Sequence, residues 1–208
     1  MKRFFVNHEL GKDFELAGSE HHHLANVART KVGEQVIVCN GDEFDYIYTA
    51  TRISKNISFL VFERKELNAA NPEKNLTVFM AVIKFDNLAM TVEKLNEIGV
   101  SELMLFTSER VNAKPPNIGK LKIITEQSCK QCGRSIPMNI RGVLSFKEMM
   151  LELKKCGKEG LAIGPEGGFT PTESEQIFSI KSATPAWIGG RTLRSETAAI
   201  AFAARILL

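Results

Sequence analysis

The sequence predicts an α/β protein in two parts: a small β-rich N-terminal domain and a larger domain of parallel strands alternating with helices. Three observations carry this. Residues 1–70 alternate β-branched and aromatic side chains between short turns, as half-buried strands do. From Leu76 onward, short apolar runs alternate with helix-period patterns that close on glycine. Between the two lies Asn68-Ala-Ala-Asn-Pro72, a polar, proline-containing joint. The expected domains are therefore 1–70 and 72–208, within the one or two that 208 residues suit.

In the first part, Gln35–Cys39, Asp45–Thr49 and Ile57–Phe62 read as strands. Asn40-Gly41 between the first two is a hairpin signal, because both residues tolerate positive φ. Lys31-Val-Gly33-Glu34 is a further turn, and one short helix is expected near His21–Arg29. In the second part Leu76–Ile83 is a strand. Leu88, Val92, Leu95 and Ile98 share one face of a helix that Gly99 ends. Leu103–Thr107 is a strand and Ile118–Cys132 a helix stopped by Gly133. Ser145-Phe-Lys-Glu148 is a capping box opening a helix to Cys156. Leu161–Gly164 is a short buried strand, and Thr170-Pro-Thr-Glu173 opens another helix. Ala186–Gly189 is expected as the last strand. The final helix, Ser195–Leu208, is apolar nearly all round, which predicts burial and a cover such as a partner subunit.

Composition excludes several classes. Hydrophobic residues make up 44% and charged residues 25%, with mean hydropathy −0.08, which is ordinary globular chemistry rather than disorder. No stretch reaches the roughly 18 apolar residues of a membrane span, and MKRFFVNHEL meets charge too soon for a secretory leader. Cys39, Cys129, Cys132 and Cys156 read as reduced thiols of a cytoplasmic protein. Net charge is +3, with −1 on residues 1–70 and +4 on the remainder. RNA, if bound, is gripped by a few placed cations rather than a bulk field.

Two segments carry the chemistry. Leu161-Ala-Ile-Gly-Pro-Glu-Gly-Gly-Phe169 runs a strand into a glycine-rich turn at the carboxyl end of a parallel sheet, where ligands bind. No lysine follows the glycines, so it is not a phosphate loop, and Glu166, which would repel phosphate, does not object to a cationic ligand. A plain tight turn explains the same residues. Trp187–Ile200 again ends a strand in glycines. Ser195 as N-cap and Glu196 in the first turn have a purely structural explanation. Arg191 and Arg194 do not, because cations sit unfavourably at a helix N-terminus and suggest an anionic partner. Gln131-Cys-Gly-Arg134 contains half of a metal-type cysteine pattern, without its second half, and no metal is expected. Arg134 past a helix end is electrostatically well placed for structural reasons alone. His21-His22-His23 cannot share one ion, since consecutive helical side chains diverge; one buried histidine is expected. Arg29 and Lys31 are either phosphate contacts or solvated surface.

Together these motifs give a resemblance. Met1–Val6, His22–Leu24 through Lys31-Val-Gly33, Glu93-Lys94 with Glu97–Val100, Ser108-Glu-Arg110, Gln131–Arg134, Ile163–Gly168 and Leu193–Ala198 run in family order over nearly the whole chain. The sequence resembles the RsmE family of rRNA methyltransferases, of the SPOUT trefoil-knot class. The resemblance implies a PUA-like β-barrel that holds RNA, a knotted methyltransferase domain that dimerises into a homodimer, and S-adenosyl-L-methionine as methyl donor. The implied target is the N3 atom of one uridine in the 16S rRNA of the small ribosomal subunit. It also implies a donor pocket from three loops: Thr107; Ile163, Gly164, Pro165, Glu166, Gly167 and Gly168; and Ile188, Gly189, Thr192 and Leu193. Arg194 and Glu196 match the family's Leu-Arg-Thr-Glu-Thr motif; Arg194, Arg134 and Glu196 are the candidate catalytic groups, and Arg3, Arg29, Lys31 and Arg191 the candidate RNA contacts. The chain departs from the family pattern at Asn87, Lys130 and Gly190.

The chemistry follows from uracil. N3 holds a proton at neutral pH, so a base must remove it, and a cation must stabilise the charge left on the ring. Arg194 is the expected cation, with Arg134 second, and Glu196 the candidate base. Two alternatives are a catalytically inactive RNA-binding or assembly module of the same fold, and a nucleotide-dependent oxidoreductase. The intact loops oppose the first; the missing dinucleotide fingerprint opposes the second.

Overall fold

The computed structural model describes residues 1–156 and 159–208. It divides into two compact units, Met1–Asn71 with Cys129–Pro137, and Pro72–Ser128 with Met138–Leu208.

The first unit is a five-stranded sheet in the order β1-β3-β4-β5-β2. Its strands are β1 (Lys2–Phe5), β2 (Phe14–Ala17), β3 (Gln35–Cys39), β4 (Phe44–Ile53) and β5 (Ile57–Leu67). Only β1 and β3 pair parallel. Phe4 on one edge strand and Leu16 on the other meet Val36, Tyr48, Leu60 and Leu24 in one core. A flat sheet cannot bring both edges to one cluster, so the sheet is barrel-like. The β4–β5 ladder slips at Ile47/Tyr48 and Ala50/Arg52, bulges that bend it. The Asn40-Gly41 hairpin forms with Gly41 at φ 89. The Asp42 carboxylate steadies it, accepting from Phe44 N (2.9 Å) and Tyr46 Oη (2.8 Å). The expected short helix is α1 (Gly18–His22), continued by a wide π-type turn over His23–Val27. His21 is the buried histidine, held by the Ser58 hydroxyl (2.9 Å) and Lys55 carbonyl (3.1 Å).

The second unit is a four-stranded parallel sheet, β8-β7-β6-β9. Its strands are β6 (Thr77–Ala81), β7 (Glu102–Thr107), β8 (Asn139–Ser145) and β9 (Gly160–Ile163). Helices α2 (Phe85–Ile98), α3 (Ile118–Cys132, of which the residues from Cys129 on fall in the first unit), α4 (Phe146–Cys156), α5 (Pro171–Phe178) and α6 (Ser195–Leu207) follow in chain order. Core side chains gather in two clusters: Val78, Met80 and Leu105 with α2 and α6, and Phe79, Met104 and Phe106 with α4 and α5. The sheet is thus covered on both faces, as parallel sheets must be. Gly99 ends α2 in the left-handed region at φ 108. Both capping boxes form: Glu148 accepts from Ser145 N at 2.7 Å, and Glu173 from Thr170 N at 2.9 Å.

Three expectations fail. The strand at Ala186–Gly189 does not form, because Pro185 has no N–H for a ladder and Gly189 turns the chain at φ 68. Trp187 stands 78% exposed there. Ser195 is not the N-cap of α6; Arg194 is, without a side-chain bond. Nor is α6 buried all round: only Ser195, Glu196, Ala199 and Ala203 are, while Thr197, Arg205 and Ile206 face solvent.

Candidate functional site

In the second unit, polar groups gather at the carboxyl ends of the strands. β9 ends at Ile163 and the chain turns through Gly164–Gly168, closed by Gly168 N donating to Pro165 O (2.8 Å) with Gly168 at φ 68. The glycines have reasons inside the fold. A Cβ on Gly164 would lie 3.3 Å from the Phe169 ring, and one on Gly167 3.3 Å from Arg110 Cβ. Phe169 stacks on Phe106 of β7, centroids 6.2 Å apart, and meets Phe146 of α4 edge-on. Pro165 is buried, while Glu166, Gly167 and Gly168 are exposed. Thr107, half-buried at the end of β7, donates to Leu144 O at 3.4 Å.

The start of α6 is tied to this turn. With Arg194 at the cap, the Ser195 hydroxyl donates to Gly164 O at 2.8 Å. Next to it the Glu196 carboxylate is buried. Its Oε1 accepts from Asn87 Nδ2 at 3.4 Å and lies 4.0 Å from the Arg194 guanidinium; its Oε2 has no hydrogen-bond partner among the described residues. Arg194 itself is 81% exposed. A buried carboxylate with an unused oxygen, beside a solvent-facing guanidinium, is a base and a cation set side by side. Asn87 comes from the first turn of α2, just past the end of β6.

The segment before α6 is an irregular strap rather than a strand end. Ile188 and Leu193 are half-buried; Gly189, Arg191 and Thr192 are exposed. Beside it, along the free edge of β9, lies a cavity of about 440 Å³ walled by Ala162, Ile163, Phe169, Ile180, Pro185 and Phe202. Pockets of this size and apolarity suit small ligands.

The other sequence-derived candidates fall in the first unit. Arg134 is buried, and burial pushes its guanidinium below its usual pKa against the pull of Cys129 and Cys132. Arg3 is buried too, with its guanidinium forked onto the Asp45 carboxylate, NH2 to Oδ2 at 2.9 Å. That engagement leaves it no head group for phosphate, so the expected RNA contact is corrected to a core ion pair. Arg29 and Lys31 are exposed, and Arg29 holds φ 49, rare for a residue with a side chain. Lys130, one of the departures from the family pattern, grips Glu20 at 2.8 Å. Among the described residues, no three His, Cys, Asp or Glu side chains are placed to hold a metal.

Sequence reasoning missed Arg110 and the second bond of Glu173. The Arg110 guanidinium donates to Gly167 O at 2.9 Å; Glu173, beyond its cap, accepts from Glu109 N at 3.0 Å. The only signal was Ser108-Glu-Arg110 within the family pattern, since no local rule joins residues nearly sixty apart.

The chain matches an RNA methyltransferase domain family over residues 70–159 and 152–207, and an RNA methyltransferase PUA domain family over 16–63. It is 30% identical to a ribosomal RNA small subunit methyltransferase E of Helicobacter pylori, over 81% of this chain and 84% of the relative. Among solved structures, the ribosomal RNA small subunit methyltransferase E of Neisseria gonorrhoeae, bound to S-adenosylmethionine, superposes with TM-score 0.89 at 22% identity, over 99% and 96% of the two chains. A methyltransferase of Legionella pneumophila in complex with the same cofactor gives 0.85 at 25% identity, over 98% and 96%.

Proposed function

This chain belongs to the RsmE family of ribosomal RNA methyltransferases, and on that premise we propose that it uses S-adenosylmethionine to methylate N3 of one uridine in 16S rRNA on the small ribosomal subunit. Residues 1–70 then serve as a PUA-like RNA-holding domain and 72–208 as the trefoil-knot methyltransferase domain. The exposed Ile206 and Leu208 at the end of α6 suit a homodimer, and four thiols suit the cytoplasm.

The residues fit the cofactor chemically. The apolar cavity along β9 shares Ile163 and Phe169 with the glycine-rich turn, which suits an adenosine. Exposed Glu166 and the unused Glu196 oxygen suit a neighbouring positive charge. When bound, S-adenosylmethionine supplies a methyl group on a positively charged sulfur. Glu196 Oε2, which has no hydrogen-bond partner among the described residues, takes the N3 proton. The Arg194 guanidinium faces solvent, where an unstacked pyrimidine arrives, and stabilises the negative charge left on the uracil carbonyls. Arg29, Lys31 and Arg191, all exposed, contact RNA phosphates.

The observation that carries the reading is the pairing of buried Glu196 with exposed Arg194 beside the Gly164 turn. Arg194→Ala tests it on purified small subunits. Transfer should fall about 10²–10³-fold, the scale for removing one charge-stabilising donor, while donor affinity holds. Full transfer by the variant would refute the assignment.

A further inference from the structure

We propose that Arg110 is a positioning residue, the clasp that holds the glycine-rich turn in the shape the methyl donor needs; this rests on the functional reading above. Arg110 stands three residues past the end of β7, in a different loop from the turn it touches. Its guanidinium donates to Gly167 O at 2.9 Å and approaches Phe169 O at 3.5 Å, so one nitrogen reaches a carbonyl of the turn and the one just past it. Its stem lies where a Gly167 side chain would be, with Cβ 3.3 Å and Cδ 3.5 Å from that position. A second pin sits beside it. Buried Glu173 accepts from Glu109 N at 3.0 Å with one oxygen and from Thr170 N at 2.9 Å with the other.

The sheet order gives these pins their purpose. β7 and β9 are not neighbours; β6 lies between them. Bonds from the β7 loop to the β9 turn therefore bridge the carboxyl end of β6, and no sheet ladder joins those two loops directly. Internally, the turn is closed by the single bond from Gly168 N to Pro165 O. Arg110 holds the Gly167 end of the turn from outside, as the Ser195 hydroxyl holds its Gly164 end, and Gly167 is glycine because the Arg110 stem lies against it. That differs from the usual reason for glycine near a ligand, which is to let the ligand approach the backbone.

The two explanations separate in a double-mutant cycle. The probe is S-adenosylmethionine, titrated calorimetrically into the full chain, with KM and kcat for transfer measured alongside. Arg110→Met keeps the stem and removes the donors; it should weaken donor binding about tenfold, as loss of a charged hydrogen bond does, with the loss in KM more than in kcat. Gly167→Ala should weaken it by forcing the Arg110 stem aside. In the double variant Arg110→Gly/Gly167→Ala, which also clears the Arg110 Cβ 3.3 Å from the added methyl, the alanine at 167 should add no further loss to that of Arg110→Gly. Arg110→Lys, which can reach one carbonyl, should recover part of the affinity. Equal affinity for wild type and Arg110→Met, or a full additional loss from Gly167→Ala when residue 110 is already glycine, overturns the clasp. A wild-type chain that binds no donor overturns the functional reading and the clasp with it.

Discussion

Replacing Glu196 by methionine should leave the protein at least as stable as it is now while nearly abolishing transfer. Methionine matches glutamate in length and helix propensity, so the change removes the carboxylate and little else. A buried acceptor without a partner costs about 1–3 kcal/mol, and among the described residues Glu196 Oε2 is such an acceptor. Against that recovery stand three small losses. The Asn87 bond is long, at 3.4 Å, and the half-buried Asn87 amide can turn to water. Arg194 is 4.0 Å away and 81% exposed, so its ion pair contributes under about 1 kcal/mol. An acidic side chain in the first turn of α6 contributes about 0.3–1 kcal/mol through the helix dipole. The losses together reach at most about 2 kcal/mol against a recovery of about 1–3 kcal/mol, so the balance centres near 1 kcal/mol in favour of the variant, or a melting temperature about 2–4 °C higher for a chain of this length. Loss of the base should cost transfer about 10²–10⁴-fold. Differential scanning calorimetry of the ligand-free protein and methyl transfer to small subunits read the two effects. A fall of more than about 4 °C would make Glu196 a structural residue and refute the reasoning, as would a variant that transfers at the wild-type rate.

Other consequences follow from the first unit. Burial works against the Asp45 charge, but hydrogen bonds from Arg3 and Asn68 outweigh it and hold the carboxyl below its usual range. A depressed carboxyl contributes stability that is present above its unfolded pKa of about 3.9 and lost as pH falls through its folded value. Asp45→Asn, which leaves Arg3 buried beside a neutral group, should therefore cost about 3–5 kcal/mol near neutrality and progressively less below about pH 4; denaturant melts at several pH values check this, and a pH-independent difference would contradict it. Arg29→Gly relieves a left-handed backbone and should stabilise the fold by about 0.5–1 kcal/mol. The same change should weaken binding to 16S rRNA and lower its salt slope by about one; an unchanged slope removes Arg29 from the RNA contacts.

Much of the architecture was legible because local chemistry and global fold agree. α3 ends where Gly133 stands ready for positive φ, and the boxes at Ser145 and Thr170 open α4 and α5 as their spacing requires. The second unit's strand β8 escaped notice because Arg141 and Gly142 interrupt its apolar pattern. Its pairing with β7 is also irregular between Met104 and Phe106. Trp187-Ile188 imitated a strand that Pro185 and Gly189 prevent. Ser195 satisfied the rule for an N-cap, yet a carbonyl thirty-one residues away, at Gly164, takes its hydroxyl. Arg3 stands among the expected RNA contacts because its partner, Asp45, is forty-two residues distant. Likewise nothing local shows that Cys129–Pro137 belongs with the first unit. In each case the deciding partner is remote in sequence, and only the fold brings it near.

The sharpest test is to incubate the protein with small ribosomal subunits and methyl-labelled S-adenosylmethionine, then map the rRNA by mass spectrometry. One label on the N3 atom of a single uridine, lost with Arg194→Ala, is the expected result. Label on a ribose hydroxyl or on a carbon of the base, or no label at all, would contradict it.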